Sequence, residues 1–173
     1  MSQKILVTYA SRTGTTAEYA ETIAQTLRES NLAVDIQPMQ AVQNLTPYTA
    51  VIAGSAIRGS KWLPEAVDFI RTHRAELAQK RFAMFTVCIT LAMSNTEQYR
   101  AGVSKWVQPV RAMVAPIREG FFPGRLDFNK LPFNWDTLML RLTVALGIFP
   151  KGDRKDLNAA KTWAGDLANL LSR

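Results

Sequence analysis

The sequence has few of the residues from which metal sites, disulfides and hydrolytic triads are built. Its 173 residues include one cysteine, Cys88, and one histidine, His73. A single cysteine excludes an internal disulfide framework and a multi-cysteine metal site, and it fits a reducing, cytoplasmic setting. We expect Cys88 to fill the core, because its neighbours in "TVCIT" are apolar. We expect His73 to face solvent on a charged helix.

Long apolar runs are also absent. No stretch reaches about 18 consecutive apolar residues, so no membrane-spanning helix is predicted. No secretory signal is visible, since the polar "MSQK" leads directly into a short apolar run. The apolar content of 47% and the charged content of 20% are ordinary for a globular protein. A chain of this length fits one domain, residues 1–173.

Acidic residues are in the minority, and the formal net charge is +7. The excess lies in the middle of the chain, where residues 58–118 hold ten basic and four acidic residues, a balance of +6. Such a region favours an anionic partner: a carboxylated or phosphorylated small molecule, an anionic lipid surface or nucleic acid. A solvated basic face explains it equally well. We expect no nucleic-acid partner, because no aromatic platform interleaves with these charges.

Apolar, β-rich runs alternate with segments of helical periodicity. The predicted strands are Lys4–Ala10, Leu32–Gln37, Tyr48–Ser55, Arg81–Thr90 and Arg118–Gly124. Four helices are predicted. The first follows the first turn, the second begins at Pro64, the third runs over Thr96–Ala115 with a boundary at Pro109, and the fourth ends the chain. The apolar face of the last helix consists of Leu157, Ala160, Ala164, Leu167 and Leu170. This alternation predicts a doubly wound α/β fold, a parallel sheet with helices on both faces.

The turn after the first strand, "SRTGTT" (Ser11–Thr16), contains four hydroxyl residues and a glycine. It opens a helix, whose N-terminus offers free backbone N–H groups and a partial positive charge. Hydroxyls added there suit a phosphate. The turn has no lysine, so it is not a nucleotide-hydrolysing P-loop, nor is it G-x-G-x-x-G. Helix capping alone is the alternative, but one hydroxyl is enough for a cap.

Two further loops follow predicted strands, Gly54–Lys61 and Cys88–Asn95. Ligands of doubly wound folds bind at the carboxyl ends of the strands, where the strand order reverses. We therefore expect all three loops to converge on one site.

The run "SRTGTT" after "KILVTYA" resembles the phosphate loop of the flavodoxin family, [ST]-x-T-G-x-T, and "AVIAGSAIRGSKW" resembles its second flavin loop. The resemblance implies a flavodoxin-like five-stranded parallel sheet of order 2-1-3-4-5 that binds FMN non-covalently. It implies that the first loop holds the phosphate, and that Arg12 of this cofactor-binding loop points outward. The implied cofactor-binding positions are Ser11, Arg12, Thr13, Gly14, Thr15, Thr16, Ser55, Ala56, Ile57, Arg58, Gly59, Cys88, Ile89, Thr90 and Leu91.

Within this family the chain is similar to the menaquinone-dependent protoporphyrinogen oxidases, through "GSAIRGS", the basic middle, the extra sequence after strand five and "GDRKD". The resemblance implies an FMN-dependent oxidoreductase that passes electrons from an organic substrate to a quinone, with protoporphyrinogen IX of heme biosynthesis as the suggested substrate. Electron-carrier flavodoxins are typically acidic, whereas Arg58 and Lys61 stand in the second loop here. These two are the candidate catalytic residues, with simple surface charge as the alternative. A flavodoxin-type carrier serving protein partners is the alternative function.

About thirty residues, 124–155, separate the fifth strand from the last helix, and residues 131–149 read as an apolar helix. A long connection within a compact domain is usually functional. The helix has three interpretations: it folds back on the domain, it lies in a membrane surface, or it makes a homodimer or partner contact. In the resembled family this region contributes to contact with a lipid-soluble quinone and the membrane. The resemblance therefore implies that the protein lies peripherally on the inner face of the membrane.

Overall fold

A parallel sheet lies at the centre of the computed structural model, which describes residues 4–93, 96–125, 142, 145–146 and 155–172. Its parallel strands are β1 (Lys4–Ala10), β2 (Ala33–Pro38), β3 (Ala50–Arg58), β5 (Arg81–Cys88) and β6 (Arg118–Pro123). They lie side by side in the order β2-β1-β3-β5-β6. Numbered among the parallel strands alone, this is 2-1-3-4-5, so the predicted fold is confirmed.

A sixth strand was not predicted. The sequence pattern placed the end of the third strand at Ser55, but β3 continues to Arg58 and pairs antiparallel with β4 (Lys61–Trp62). The two residues between them, Gly59 and Ser60, both have left-handed backbones, with φ of 56° and 58°. A two-residue turn of this kind matches the twist of paired antiparallel strands. The predicted second loop is therefore a tight hairpin.

Helices cover both faces of the sheet. The described helices are α1 (Thr15–Glu29), α2 (Pro64–Thr72), α3 (Arg74–Leu77), α4 (Thr96–Trp106), α5 (Gln108–Met113) and α6 (Leu157–Leu171). The buried side chains of α1 and α6 pack on one face, and those of α2, α3 and α5 pack on the other. The predicted boundary near Pro109 is confirmed by the break between α4 and α5.

The central strands β1, β3 and β5 are mostly apolar because both faces are buried. In β3, Ile52 belongs to the core under α1 and α6, while Val51 and Ala53 belong to the core under α2. This explains the nearly continuous apolar runs of the sequence. At the end of the run, a Cβ atom on Gly54 would lie 1.9 Å from Cζ of Phe85. Glycine there lets the Phe85 ring lie against the β3 backbone.

Two side-chain orientations predicted from the sequence are wrong. Leu170 was assigned to the buried face of the last helix, but it is 38% exposed, and Leu171 is buried instead. His73 was expected to face solvent, but its side chain is only 13% exposed. It lies at the junction of α2 and α3, where its ring packs 4.9 Å from the ring of Phe69 and its Nδ1 lies 3.1 Å from Glu76 Oε1. The charged residues around His73 in the sequence led to the prediction of an exposed side chain.

The end of β6 and the start of α6 lie close together, beside α1. The fully buried Tyr19 donates its hydroxyl to the carbonyl of Pro123 at 2.8 Å and accepts from the backbone N–H of Asp156 at 2.8 Å. Lys155 also pairs with Glu18 in the first turn of α1. Both ends of the long connection are thus tied to the start of α1.

The predicted apolar helix at residues 131–149 lies outside the described residues, apart from Leu142, Ala145 and Leu146. Leu146 donates its N–H to the carbonyl of Leu142 at 2.9 Å, as in one helical turn. Leu142 is 54% exposed and Leu146 is 69% exposed.

Candidate functional site

The first loop joins β1 to α1 without regular secondary structure. Gly14 is the N-cap of α1 and has a φ of 92°, a conformation that side chains other than glycine rarely adopt. Its N–H donates to Ser11 Oγ at 3.0 Å, and its carbonyl accepts the first helical hydrogen bond from Glu18 at 3.0 Å. No side chain of the described residues caps α1. The hydroxyls of Thr15 and Thr16 are therefore not used for helix capping, which was the alternative interpretation.

Two hydroxyls at the start of α1 are buried and unpaired. Thr15 is 4% exposed and Thr16 is 1% exposed, and neither Oγ1 atom has a hydrogen-bond partner among the described residues. A buried hydroxyl without a partner costs roughly 1–3 kcal/mol. Both sit at the N-terminus of a 15-residue helix, where free N–H groups and the helix dipole favour an anion. The arrangement suits an anionic group rich in acceptor oxygens.

The charges around this helix start are largely balanced. Glu18 lies one turn into α1, where a carboxylate would oppose a bound anion, but it is paired with Lys155. Arg12 is 46% exposed at its side chain, as expected for an outward-pointing residue, and it is paired with Glu65. The neutral donors at this helix start are therefore the hydroxyls of Thr15 and Thr16 and the first N–H groups of α1.

The hairpin after β3 carries the two candidate cations. Arg58 and Lys61 are directly opposite each other in the antiparallel ladder, and both are exposed. Neither forms an ion pair or side-chain hydrogen bond with the described residues. By contrast, Arg111 is held by Glu119, which raises the pKa of the guanidinium further. Arg58 and Lys61 are thus available to an anionic partner.

Other members of the predicted second loop serve the fold. Trp62 is 2% exposed, and its indole N–H donates to Thr86 Oγ1 at 2.9 Å. It fills the core. Ser55 is also buried, and its Oγ accepts from the N–H of Leu63 at 3.1 Å. Ala56 and Ile57 are half-buried.

The third loop begins at the end of β5 and forms a 3₁₀ turn, Ile89–Ala92. Cys88 and Leu91 are buried together with Val103 of α4, and burial raises the pKa of the Cys88 thiol. The prediction that Cys88 fills the core is therefore confirmed. Ile89 and Thr90 are half-buried, so their side chains are more accessible than those of Cys88 and Leu91.

The sheet register brings the loops to one edge. Ala10 at the end of β1 is level with Ser55 of β3, and Ser55 is level with Thr86 of β5. All three strands are parallel, so their carboxyl ends lie together. The strand order reverses at β1, which places this edge at the switch point where doubly wound folds bind ligands.

Sequence reasoning missed the carboxylates that balance the site. Glu65 and Glu18 are the partners of Arg12 and Lys155, at sequence separations of 53 and 137 residues. Both glutamates are in the first turn of a helix. That position is a usable signal, since acidic residues are favoured there, but it does not indicate the partner.

Comparison with known proteins assigns the family. The flavodoxin domain family matches residues 6–147, and the chain belongs to this family. No curated protein matches the chain in sequence. Among solved structures, an archaeal flavodoxin is similar with 18% identity and a TM-score of 0.60, covering 99% of this chain and 100% of that one. The Pseudomonas aeruginosa flavodoxin has 13% identity and a TM-score of 0.62, with coverage of 99% and 100%.

A third similar structure is the Streptococcus pneumoniae flavodoxin, with 17% identity, a TM-score of 0.60 and coverage of 96% and 99%.

Family membership indicates FMN as the cofactor of this protein and electron transfer as its general role. The residues present fit FMN. Thr15 and Thr16 would hold its phosphate, since their buried hydroxyls lack partners among the described residues.

The described part of the chain contains neither a metal site nor a membrane-spanning helix. No group of His, Cys, Asp or Glu side chains there could hold a metal ion. No helix in that part is long and apolar enough to cross a membrane.

The unpaired hydroxyls lead to a substitution that should weaken FMN binding without lowering the stability of the FMN-free protein. Thr16→Val keeps the shape of the side chain but removes the hydroxyl. FMN binding should weaken by roughly 1–3 kcal/mol, the range for a hydrogen bond to a charged group. The free energy of unfolding without FMN should stay the same or rise, because a buried unpaired hydroxyl is removed. Fluorescence titration and urea unfolding measure the two.

Thr8→Val is the matched control. Thr8 Oγ1 is also buried without a partner among the described residues, but it lies within β1 rather than in the loop. This variant should keep its FMN affinity. Equal FMN affinities for Thr16→Val and the parent protein would remove Thr16 from the phosphate site.

Proposed function

We propose that this protein is an FMN-dependent oxidoreductase that takes electrons from an anionic organic substrate and passes them to a quinone. The observation that carries the proposal is the exposed pair Arg58 and Lys61, which has no ion-pair partner among the described residues at the edge where the loops converge. Bound FMN supplies the redox chemistry. Each catalytic cycle moves two electrons and two protons from the substrate to one quinone, which becomes a quinol.

The two cations have two uses in such an enzyme. They can bind substrate carboxylates, as the propionates of protoporphyrinogen IX would require. A cation beside a flavin also stabilises its anionic reduced form by Coulomb attraction, on the order of a few kcal/mol when partly desolvated. The second effect raises the reduction potential and favours acceptance of electrons from an organic substrate. Protoporphyrinogen IX, and with it a role in heme biosynthesis, is the substrate that the sequence resemblance suggests.

The exposed leucines support a quinone as the acceptor. Leu142 and Leu146 are one helical turn apart and more than half exposed. An apolar surface of this kind suits a lipid-soluble acceptor or the membrane surface that contains it. The alternative function is a flavodoxin-type electron carrier, in which Arg58 and Lys61 would face an acidic protein partner.

Charge reversal at the hairpin tests the role of the cations. Arg58→Glu should lower the reduction potential of bound FMN by roughly 30–60 mV, because a negative charge then opposes the anionic reduced form. Lys61→Glu should act in the same direction. Lys105→Glu is the control, since Lys105 is an exposed cation in the last turn of α4, far along the helix from the third loop. Unchanged potentials in both hairpin variants would mean that these charges do not act on the flavin.

Reoxidation of the reduced holoprotein tests the acceptor. Short water-soluble menaquinone analogues should reoxidise it rapidly, and long-tailed quinones in anionic vesicles should do so as well. Replacing both leucines, Leu142→Glu with Leu146→Glu, should slow the reaction with long-tailed quinones about tenfold or more and reduce association with vesicles. The reaction with short quinones should not change, since the charged residues disturb the apolar contact only.

Leu170→Glu is the control, because Leu170 is an exposed leucine on a different helix, α6. It should behave as the parent protein does. Slow reoxidation of the parent by every quinone would favour the carrier function. Loss of reactivity toward short and long quinones alike would show that the two leucines do not form a separate quinone contact.

A further inference from the structure

Arg12 and Glu65 join the first loop to the start of α2. The guanidinium group contacts the carboxylate through both terminal nitrogens: Nη1 pairs with Oε1, and Nη2 lies 2.9 Å from Oε2. A bidentate arginine–carboxylate pair fixes orientation as well as distance. The Glu65 side chain is 17% exposed, so the contact is partly shielded from solvent.

The carboxylate belongs to a well-fixed part of the fold. Glu65 follows Pro64 in the first turn of α2, where a negative charge interacts favourably with the helix dipole. Its neighbours Leu63 and Ala66 are buried, and the N–H of Leu63 donates to Ser55 Oγ at 3.1 Å. Glu65 is therefore a rigid anchor point.

The loop that carries Arg12 needs such an anchor. Residues 11–14 have no regular secondary structure, and Gly14 allows backbone conformations that other residues resist. The loop must nevertheless place the hydroxyls of the phosphate site accurately, since hydrogen bonds weaken steeply with poor geometry. Arg12 stands in the middle of this segment and reaches across to α2.

We propose that the Arg12–Glu65 ion pair is a positioning device that holds the phosphate loop against α2 and thereby sets the preference for FMN over riboflavin. Arg12 is a positioning residue in this proposal and not a phosphate ligand, because its guanidinium group is already ion-paired with Glu65. The inference depends on the FMN site alone. It applies equally to a quinone-linked oxidoreductase and to an electron carrier, so its failure would leave the proposed function untouched.

A competition experiment on the holoprotein tests the proposal. Riboflavin is titrated into each FMN-loaded variant, and the concentration ratio that displaces half of the FMN gives the FMN preference. Arg12→Ala and Glu65→Gln should each lower this preference about three- to tenfold, and the double variant should lower it no further than either alone. Arg12→Lys should give an intermediate value, since lysine keeps the charge but loses the bidentate geometry.

Arg71→Ala is the matched control. It removes another arginine–carboxylate pair, Arg71–Asp68, from the outer face of the same helix. The FMN preference of this variant should equal that of the parent.

Three results would overturn the proposal. An unchanged preference in Arg12→Ala and Glu65→Gln would show that the loop holds its shape without the pair. Equal weakening of FMN and riboflavin, which leaves their ratio constant, would indicate a general structural role. A higher preference in Glu65→Gln would identify Arg12 as a phosphate-binding cation that Glu65 normally masks.

Discussion

The hydroxyls of Thr15 and Thr16 are the constraint on which the site depends. Both are buried at the start of α1 and lack partners among the described residues. Each hydroxyl therefore destabilises the folded protein until it donates a hydrogen bond to an acceptor. An anionic acceptor gains from the same helix start, because its N–H groups and dipole favour negative charge. The phosphate of FMN satisfies both requirements, and family membership independently indicates FMN.

Much of the surrounding structure holds this helix start in place. Tyr19, one turn further along, is buried and links α1 to the carbonyl of Pro123 and to the N–H of Asp156. Lys155 neutralises Glu18. The result is a candidate phosphate site of neutral donors, and the neighbouring hairpin carries Arg58 and Lys61, which have no ion-pair partner among the described residues. If the hairpin cations act on the flavin as proposed, this separation lets substitutions change cofactor binding and reduction potential independently.

Local sequence signals predicted the sheet and the first loop well. The central strands β1, β3 and β5 were visible because burial on both faces makes them nearly continuously apolar. The loop was visible because four hydroxyls stand in six positions. The β3–β4 hairpin was missed because "RGSKW" contains only two strand residues after the turn. The burial of Leu171 was missed because packing against the core under α1 and α6 decides it. The partial burial of His73 depends on Phe69 and Glu76, four and three residues away, and was missed because its charged neighbours favoured an exposed position. The Arg12–Glu65 contact depends on the fold, and no local sequence pattern predicts it.

The phosphorus NMR spectrum of the FMN-loaded protein tests the central claim most directly. A free phosphate monoester loses its second proton near pH 6. If the phosphate accepts hydrogen bonds from the Thr15 and Thr16 hydroxyls and from the start of α1, these donors stabilise the dianion and lower its pKa. The account predicts a single phosphorus resonance that does not move between about pH 5 and pH 8. A resonance that moves with a midpoint near 6, as for a phosphate in water, would contradict it.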